Sequence, residues 1–156
     1  MDLAPHLRNL NPEQYEAVTT LYGPLLVLAG AGSGKTRVLT RRIAQLLHEG
    51  INPTEILSVT FTRKASAEMK ERVIELVGEV GKKVWISTFH ATCGRILRRD
   101  IEALGWTRNF SVYDDDDQLR MIKATINELG YDPKRVSPAG LLSRIDWYKN
   151  RLKSVD

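Results

Sequence analysis

The chain has 156 residues, 42% of them hydrophobic and 27% charged, with a formal net charge of +4. This is the balance of a globular chain long enough to bury a core, and no apolar run reaches the ~20 residues a membrane helix needs. A single cysteine, Cys93, excludes an internal disulfide and a cysteine-based zinc site. With three scattered histidines, no structural metal is expected. Residues 1–10 lack the apolar core of a secretion signal, so a cytoplasmic protein is expected. The mild basic excess has no basic tail; it permits nucleic acid as a partner without demanding it.

Leu10-Asn11-Pro12-Glu13-Gln14 reads as a helix start. Asn11 is a good N-cap, Pro12 suits the first helical position, and Gln14 falls where a capping-box partner belongs. Leu10 and Tyr15 are placed for a hydrophobic staple. Gln14 has two readings: it caps the Asn11 N–H, or its primary amide, with a donor and an acceptor, reads a purine edge. Local sequence favours the cap.

Tyr22-Gly23-Pro24 turns the chain into Leu25 to Leu28, an apolar run predicted to be a buried strand. Ala29-Gly30-Ala31-Gly32-Ser33-Gly34 follows, and Lys35 and Thr36 open a segment of helical periodicity. Strand, glycine-rich turn and helix in this order have the layout of a phosphate-binding loop; the other, less favoured reading is a glycine-rich strand-to-helix turn that happens to contain Lys35-Thr36. Glycines adopt left-handed dihedrals and carry no Cβ to obstruct a polyphosphate. Successive N–H groups point into one concavity, and the helix adds the positive end of its dipole. Lys35 is placed for the β- and γ-phosphates and the Thr36 hydroxyl for Mg2+. Ala29 stands where the common template has glycine.

The predicted helix from Thr36 to Leu47 aligns Leu39, Ile43, Leu46 and Leu47, and Gly50 stops it. Ile56 to Phe61 is a second predicted strand and Lys64 to Val77 a helix with Ala65, Met69, Val73 and Leu76 in phase. Val84 to Ser87 is a third strand. Phe89 to Leu104 is a helix predicted to be buried through Cys93, Leu97, Ile101 and Leu104. Three alternations of strand and helix imply a parallel sheet flanked by helices, an α/β fold with its ligands at the carboxyl ends of the strands. Those ends are 29–36, 60–64 and 87–90.

After Trp106 the pattern changes. Phe110 to Tyr113 is a short extended piece, and Asp114 to Asp117 precede a helix from about Gln118 to Leu129. Ser137-Pro138 opens a last helix aligning Leu141, Ile145, Tyr148 and Leu152. No strand follows, so residues 109–156 are expected to form a helical subdomain apart from 1–108. The four aspartates are the local candidates for a hydrolytic acid, but carboxylates at a helix start are expected as caps. Capping is the favoured reading.

Thr60-Phe61-Thr62-Arg63-Lys64 and Ser87-Thr88-Phe89-His90 both sit at strand-to-helix corners. Hydroxyls and helix-start amides suit phosphates, and rings suit bases, so a single nucleic-acid strand is one reading. The other is that Phe61 and Phe89 plug the core and the threonines cap helices. His90 is a solvated helix-start residue or a phosphate donor; no neighbour pairs with it as a nucleophile.

Taken together, Leu10 to Gln14, Ala29 to Arg37, Val-Thr-Phe-Thr-Arg-Lys-Ala-Ser-Ala-Glu-Met from Val59 and Ser87 to His90 resemble superfamily 1 DNA helicases of the UvrD/PcrA/Rep type. The resemblance runs from about Leu10 onward, and Tyr113 to Arg120 resembles the start of the helical insertion in the first motor domain of those helicases. It implies a RecA-like P-loop NTPase sheet, here incomplete, over residues 1–108, and the start of that insertion over 109–156. It implies that Gln14 recognises adenine and that Arg37 lies against the base. It implies that Phe61, Thr62, Lys64, Thr88 and His90 line a single-stranded DNA track. Arg63 stands where relatives often have asparagine and adds a phosphate contact if it faces that track.

The implied activity is ATP- and Mg2+-dependent 3′-to-5′ translocation on single strands and unwinding at duplex junctions, in repair or replication. The Asp-Glu pair, the second RecA-like domain and the arginine fingers of the family are expected beyond residue 156. The chain alone is therefore expected to bind ATP and hydrolyse it poorly. The alternatives are a stand-alone ATP- or DNA-binding module without catalysis and a P-loop enzyme of another class, such as a small kinase.

Overall fold

The computed structural model describes residues 4–132 and 135–154. Met1–Arg108 and Asn109–Asp156 are two compact units. The first holds α1 (Pro12–Thr19), α2 (Lys35–His48), β1 (Leu57–Thr60), α3 (Arg63–Val77), β2 (Trp85–Thr88) and α4 (Phe89–Asp100). The second holds α5 (Asp115–Glu128) and α6 (Pro138–Lys149).

β1 and β2 pair in parallel, and α3 supplies the crossover that parallel neighbours require. The register matches Leu57 with Trp85 and Thr60 with Thr88, so the two strands end at the same level. Beneath them Ile43, Ile56, Met69, Val73 and Val84 form one buried cluster, with Leu46, Leu47, Val77 and Ile86 packed against it. A second cluster, Leu7, Ala17, Val18 and Val38, joins the chain start and α1 to α2.

The predicted α/β class holds, with a small two-stranded parallel sheet and six α-helices among the described residues. The strand predicted over Leu25 to Leu28 is not one. The segment lies outside any ladder, with Leu26 80% and Leu28 86% exposed. An apolar run becomes a strand only when a neighbour takes its backbone N–H and C=O groups, and no described residue does so here.

Three other expectations change. α4 stops at Asp100 and continues as a 3-10 turn over Ile101–Leu104. Its buried residue is Thr92, while Cys93, Leu97 and Leu104 are exposed. The buried face of α2 is turned by one residue, to Val38, Thr40, Ile43 and Ala44, leaving Leu39 at the surface. α6 ends before Leu152, which is exposed with a φ of +50°.

Two of the four aspartates do cap, and α5 starts at Asp115, three residues before the predicted Gln118. Asp114 accepts from the Asp117 N–H at 2.8 Å, and Asp117 accepts in turn from the Asp114 N–H, a complete capping box. Phe110 to Tyr113 forms no strand.

Candidate functional site

The loop from Ala29 to Gly34 is held from two sides. From α1, the Gln14 Nε2 donates to the Ser33 carbonyl at 3.0 Å. From α2, the Lys35 ammonium donates to the carbonyls of Ala29, at 3.1 Å, and Gly30, at 2.5 Å. Ser33 closes the turn with its hydroxyl on the Gly30 carbonyl at 2.8 Å.

Gly32 and Gly34 have φ values of +76° and +89°, in the region glycine adopts without strain. A Cβ on Gly34 would lie 2.9 Å from the Gln14 Nε2, so this glycine also makes room for the amide. A Cβ on Gly30 or Gly32 would meet nothing within 4 Å.

α2 begins differently from every other described α-helix. Asn11, Thr62, Thr88, Asp114 and Ser137 each cap their helix with a side chain. Gly34 has none to offer, and no side chain caps α2. The N–H groups of the first turn have no intrahelical acceptor. Together with the helix dipole and the Lys35 charge they form a positive end that no described side chain caps.

Beside it lies a cavity of about 300 Å3. Asn11, Glu13, Gln14, Ala29, Gly30, Ser33 and Lys35 give it polar lining, and Ala17, Val27, Leu28 and Val38 an apolar wall. That is the lower end of the usual size for a small-molecule site. Ala31, Gly32, Gly34, Thr36 and Arg37 do not line it. Thr36 and Arg37 are exposed on the first turn of α2, where no hydrogen bond among the described residues occupies the Thr36 hydroxyl.

Gln14 takes the predicted capping posture. Its backbone N–H donates to Asn11 Oδ1 at 2.7 Å, and its side-chain oxygen accepts from the Asn11 N–H at 3.2 Å, completing the capping box. With Nε2 already bonded to Ser33, the amide retains one N–H and one lone pair.

Arg41 and Arg42 lie outside the expected motifs, yet both join distant segments. Arg42 donates to the carbonyls of Ala17, at 2.7 Å, and Thr20, which ties the end of α1 to α2. Arg41 donates to the carbonyls of His6, at 2.5 Å, and Arg8, at 2.7 Å. Burial, and after it the nearby Arg37 charge, hold the Arg41 guanidinium below its ordinary pKa. Nothing in the local pattern marks them, because two consecutive arginines both fit on the polar face of an amphipathic helix.

The second predicted cluster is assembled at the ends of β1 and β2. Because the strands finish level, the next residue of each falls side by side, and the Phe61 and Phe89 rings lie 5.2 Å apart at 47°. Phe61 is 88% exposed and Phe89 44%, so neither plugs the core. The threonines do cap: Thr62 accepts from the Ala65 N–H at 3.1 Å and Thr88 from the Ala91 N–H at 3.2 Å.

The Thr62 hydroxyl is exposed and keeps a proton to donate; Thr88 is buried. Arg63, Lys64 and His90 are exposed around the rings. Lys64 reaches Glu68 only at 4.0 Å, a solvated pair of little strength. Of the three predicted strand ends, the structure thus brings together these two. The loop at 29–36 is not a strand end.

Residues 10–156 match the model of the UvrD/REP helicase N-terminal domain. The chain is similar to ATP-dependent DNA helicase PcrA of Bacillus subtilis (strain 168), with 54% identity over 147 residues, covering 94% of this chain and 20% of the relative. The PcrA helicase of Staphylococcus epidermidis (strain RP62A) is 52% identical over 151 residues, 96% of this chain and 21% of the relative. That of Staphylococcus aureus (strain Mu50) is 50% identical over 149 residues, 95% of this chain and 20% of the relative. The chain spans about a fifth of the length of these relatives. It belongs to the UvrD/REP helicase family, and what it carries is that family's N-terminal domain.

Proposed function

We propose that the chain is the nucleotide-cradling part of an ATP-dependent DNA helicase that moves 3′ to 5′ on single-stranded DNA and opens duplex at junctions, in DNA repair or replication in the cytoplasm. Residues 1–108 are the N-terminal part of its first RecA-like motor domain, and 109–156 begin the helical insertion. The second RecA-like domain is its partner in turnover.

The observation that carries this reading is the bare N-terminus of α2. Five described α-helices close their first turn with a side chain, and this one leaves its N–H groups to a ligand. An anion is the ligand such an end takes. Lys35 then exchanges its two loop carbonyls for phosphate oxygens, and the N–H groups of the loop and first turn hold the rest of the polyphosphate. Gln14 reads adenine with the donor and acceptor it retains, and the exposed Arg37 covers the base. Thr36, whose hydroxyl is exposed on the first turn of α2, would hold Mg2+, which would supply charge neutralisation at the phosphates. Phe61, Thr62, Arg63, Lys64, Thr88 and His90 form the DNA track, with the two rings stacking on bases and the cations on phosphates.

Hydrolysis by the chain alone is slow. Asp114 and Asp117 are engaged in capping α5, Asp115 and Asp116 lie in its first turn, and Glu13, the carboxylate among the cavity's lining residues, sits at the start of α1 and not at a strand end.

Titration with a fluorescent ATP analogue, followed by DNA-stimulated phosphate release, tests the reading. Lys35→Ala should weaken analogue binding at least tenfold, ~1.4 kcal/mol or more, the scale of a charge-assisted contact. Unchanged affinity would sink the cradle. The unmutated chain should bind without robust turnover. Fast DNA-stimulated release would overturn the assignment of poor hydrolysis. Release that requires a small acceptor would favour a kinase.

A further inference from the structure

The first unit carries a further cavity, this one lined by cations, of about 380 Å3, away from the loop and at the starting end of β2. Lys70, Lys82, Lys83 and Arg95 line it, with the Thr54 hydroxyl and the Trp85 ring, and no carboxylate among its lining residues. Four cations converge from α3, the turn before β2, and α4.

The cavity is built and braced. Lys70 reaches across from α3 and donates to the carbonyls of Lys82, at 2.7 Å, and Val84, at 2.6 Å. It fixes the turn that carries its neighbours and keeps a third N–H. The Arg95 guanidinium lies 4.5 Å from the centre of the Trp85 ring, a cation–π contact that orients both. Among the described residues Lys82 pairs only with the exposed Glu79, a solvated contact that a stronger anion displaces at little cost. Burial holds the Lys70 ammonium below its ordinary pKa. A group in that state gains from any anion placed beside it.

We infer that this cavity binds the phosphodiester backbone of a nucleic-acid strand, as a second contact beyond the Phe61–Phe89 rim. Four cations, one hydroxyl and one ring in a braced hollow suit phosphates carried on a strand with bases. β2 joins the two places. Trp85, its first residue, lines the cavity, and Thr88, its last, opens the rim. They are about 10 Å apart at ~3.3 Å per residue. The inference rests on the nucleic-acid role proposed for the rim, and the test separates the two.

The probe is an oligothymidylate of about 20 nucleotides, longer than a typical ~4–16-nucleotide site. The readouts are the Trp85 indole N–H resonance, assigned with Trp85→Phe, and the His90 amide resonance. Both should shift on titration. Lys82→Ala/Lys83→Ala removes two exposed side chains and leaves intact the backbone carbonyl that Lys70 grips. It should abolish the Trp85 shift, keep the His90 shift, and weaken binding about three- to tenfold. It should also flatten the log–log salt dependence by roughly 1.4, at ~0.7 for each single-strand phosphate that is no longer neutralised.

A moving His90 with a still Trp85 overturns the cavity and leaves the rim. A moving Trp85 with a still His90 supports the cavity and removes the rim. Stillness of both removes both. If tripolyphosphate or polyglutamate shifts Trp85 as strongly as the oligonucleotide at equal charge, the cavity takes anions at large, and the nucleic-acid assignment is overturned.

Discussion

α1 and α2 start close together and in opposite ways. The start of α1 is complete in itself: Asn11 and Gln14 satisfy one another's N–H groups. The start of α2 is a glycine at φ +89° with no side chain to give, and Lys35 beside it is turned back onto the loop's own carbonyls. The first end is closed by its own side chains; the second is left open to solvent or to a ligand. Gln14 belongs to both, capping one helix and bracing the loop of the other. A helix start with glycine in place of a capping side chain gives up roughly a few tenths of a kcal/mol of stability. The place where that loss is tolerated marks the site better than the glycines alone.

The sharpest way to break this contrast is to give α2 the cap it lacks. Gly34→Asp sets a carboxylate where an anion would bind and forces a side chain into the left-handed region against Gln14. ATP-analogue affinity should fall at least 100-fold, about 2.7 kcal/mol, while circular dichroism keeps its helical signal. Affinity within threefold of the unmutated chain would show that the bare end is not the anion site.

Gln14→Ala tests the shared residue. The preference for adenine over guanine nucleotides should fall about five- to tenfold, the scale of one hydrogen bond. A change in melting temperature with base preference intact would leave Gln14 as cap and brace only. The smallest effect belongs to the self-sufficient end. Asn11→Ala should cost about 1 kcal/mol of stability and shift the melting temperature by roughly 2–4 °C. Analogue affinity should stay within twofold; a larger loss would mean that the two helix starts act as one.

What could be read in advance was local. Helix starts at Asn11, Thr62, Thr88 and Ser137 follow from short polar residues three positions before the N–H they accept. The loop followed from glycines and Lys35-Thr36. What could not be read depends on residues far apart in the chain. Leu25 to Leu28 carries the composition of a strand, yet strand formation belongs to a pair of segments and not to one. The Gln14–Ser33 bond spans 19 positions and the Arg42–Ala17 bond 25, and no periodicity signals either. Cys93 and Leu97 repeat at helical spacing, but both are exposed, with nothing among the described residues covering that face of α4, so the pattern outran the burial. The basic hollow at Trp85 escaped for a related reason: Lys70, Lys82 and Arg95 come from three elements, and only the parallel pairing of β1 and β2 gathers them.

The grip of Arg42 on the end of α1 bears on how a nucleotide would be recognised. Two carbonyls held by one guanidinium, together with the buried contact of Ala17 and Val18 against Val38, make α1 and α2 a single rigid lever. The amide proposed to read the base and the loop proposed to hold the phosphates therefore have one set of coordinates between them. Their alignment is settled when the chain folds, and no segment needs to be ordered at the moment of binding. Discrimination between bases then appears in how long a nucleotide stays, with little difference in how fast it arrives.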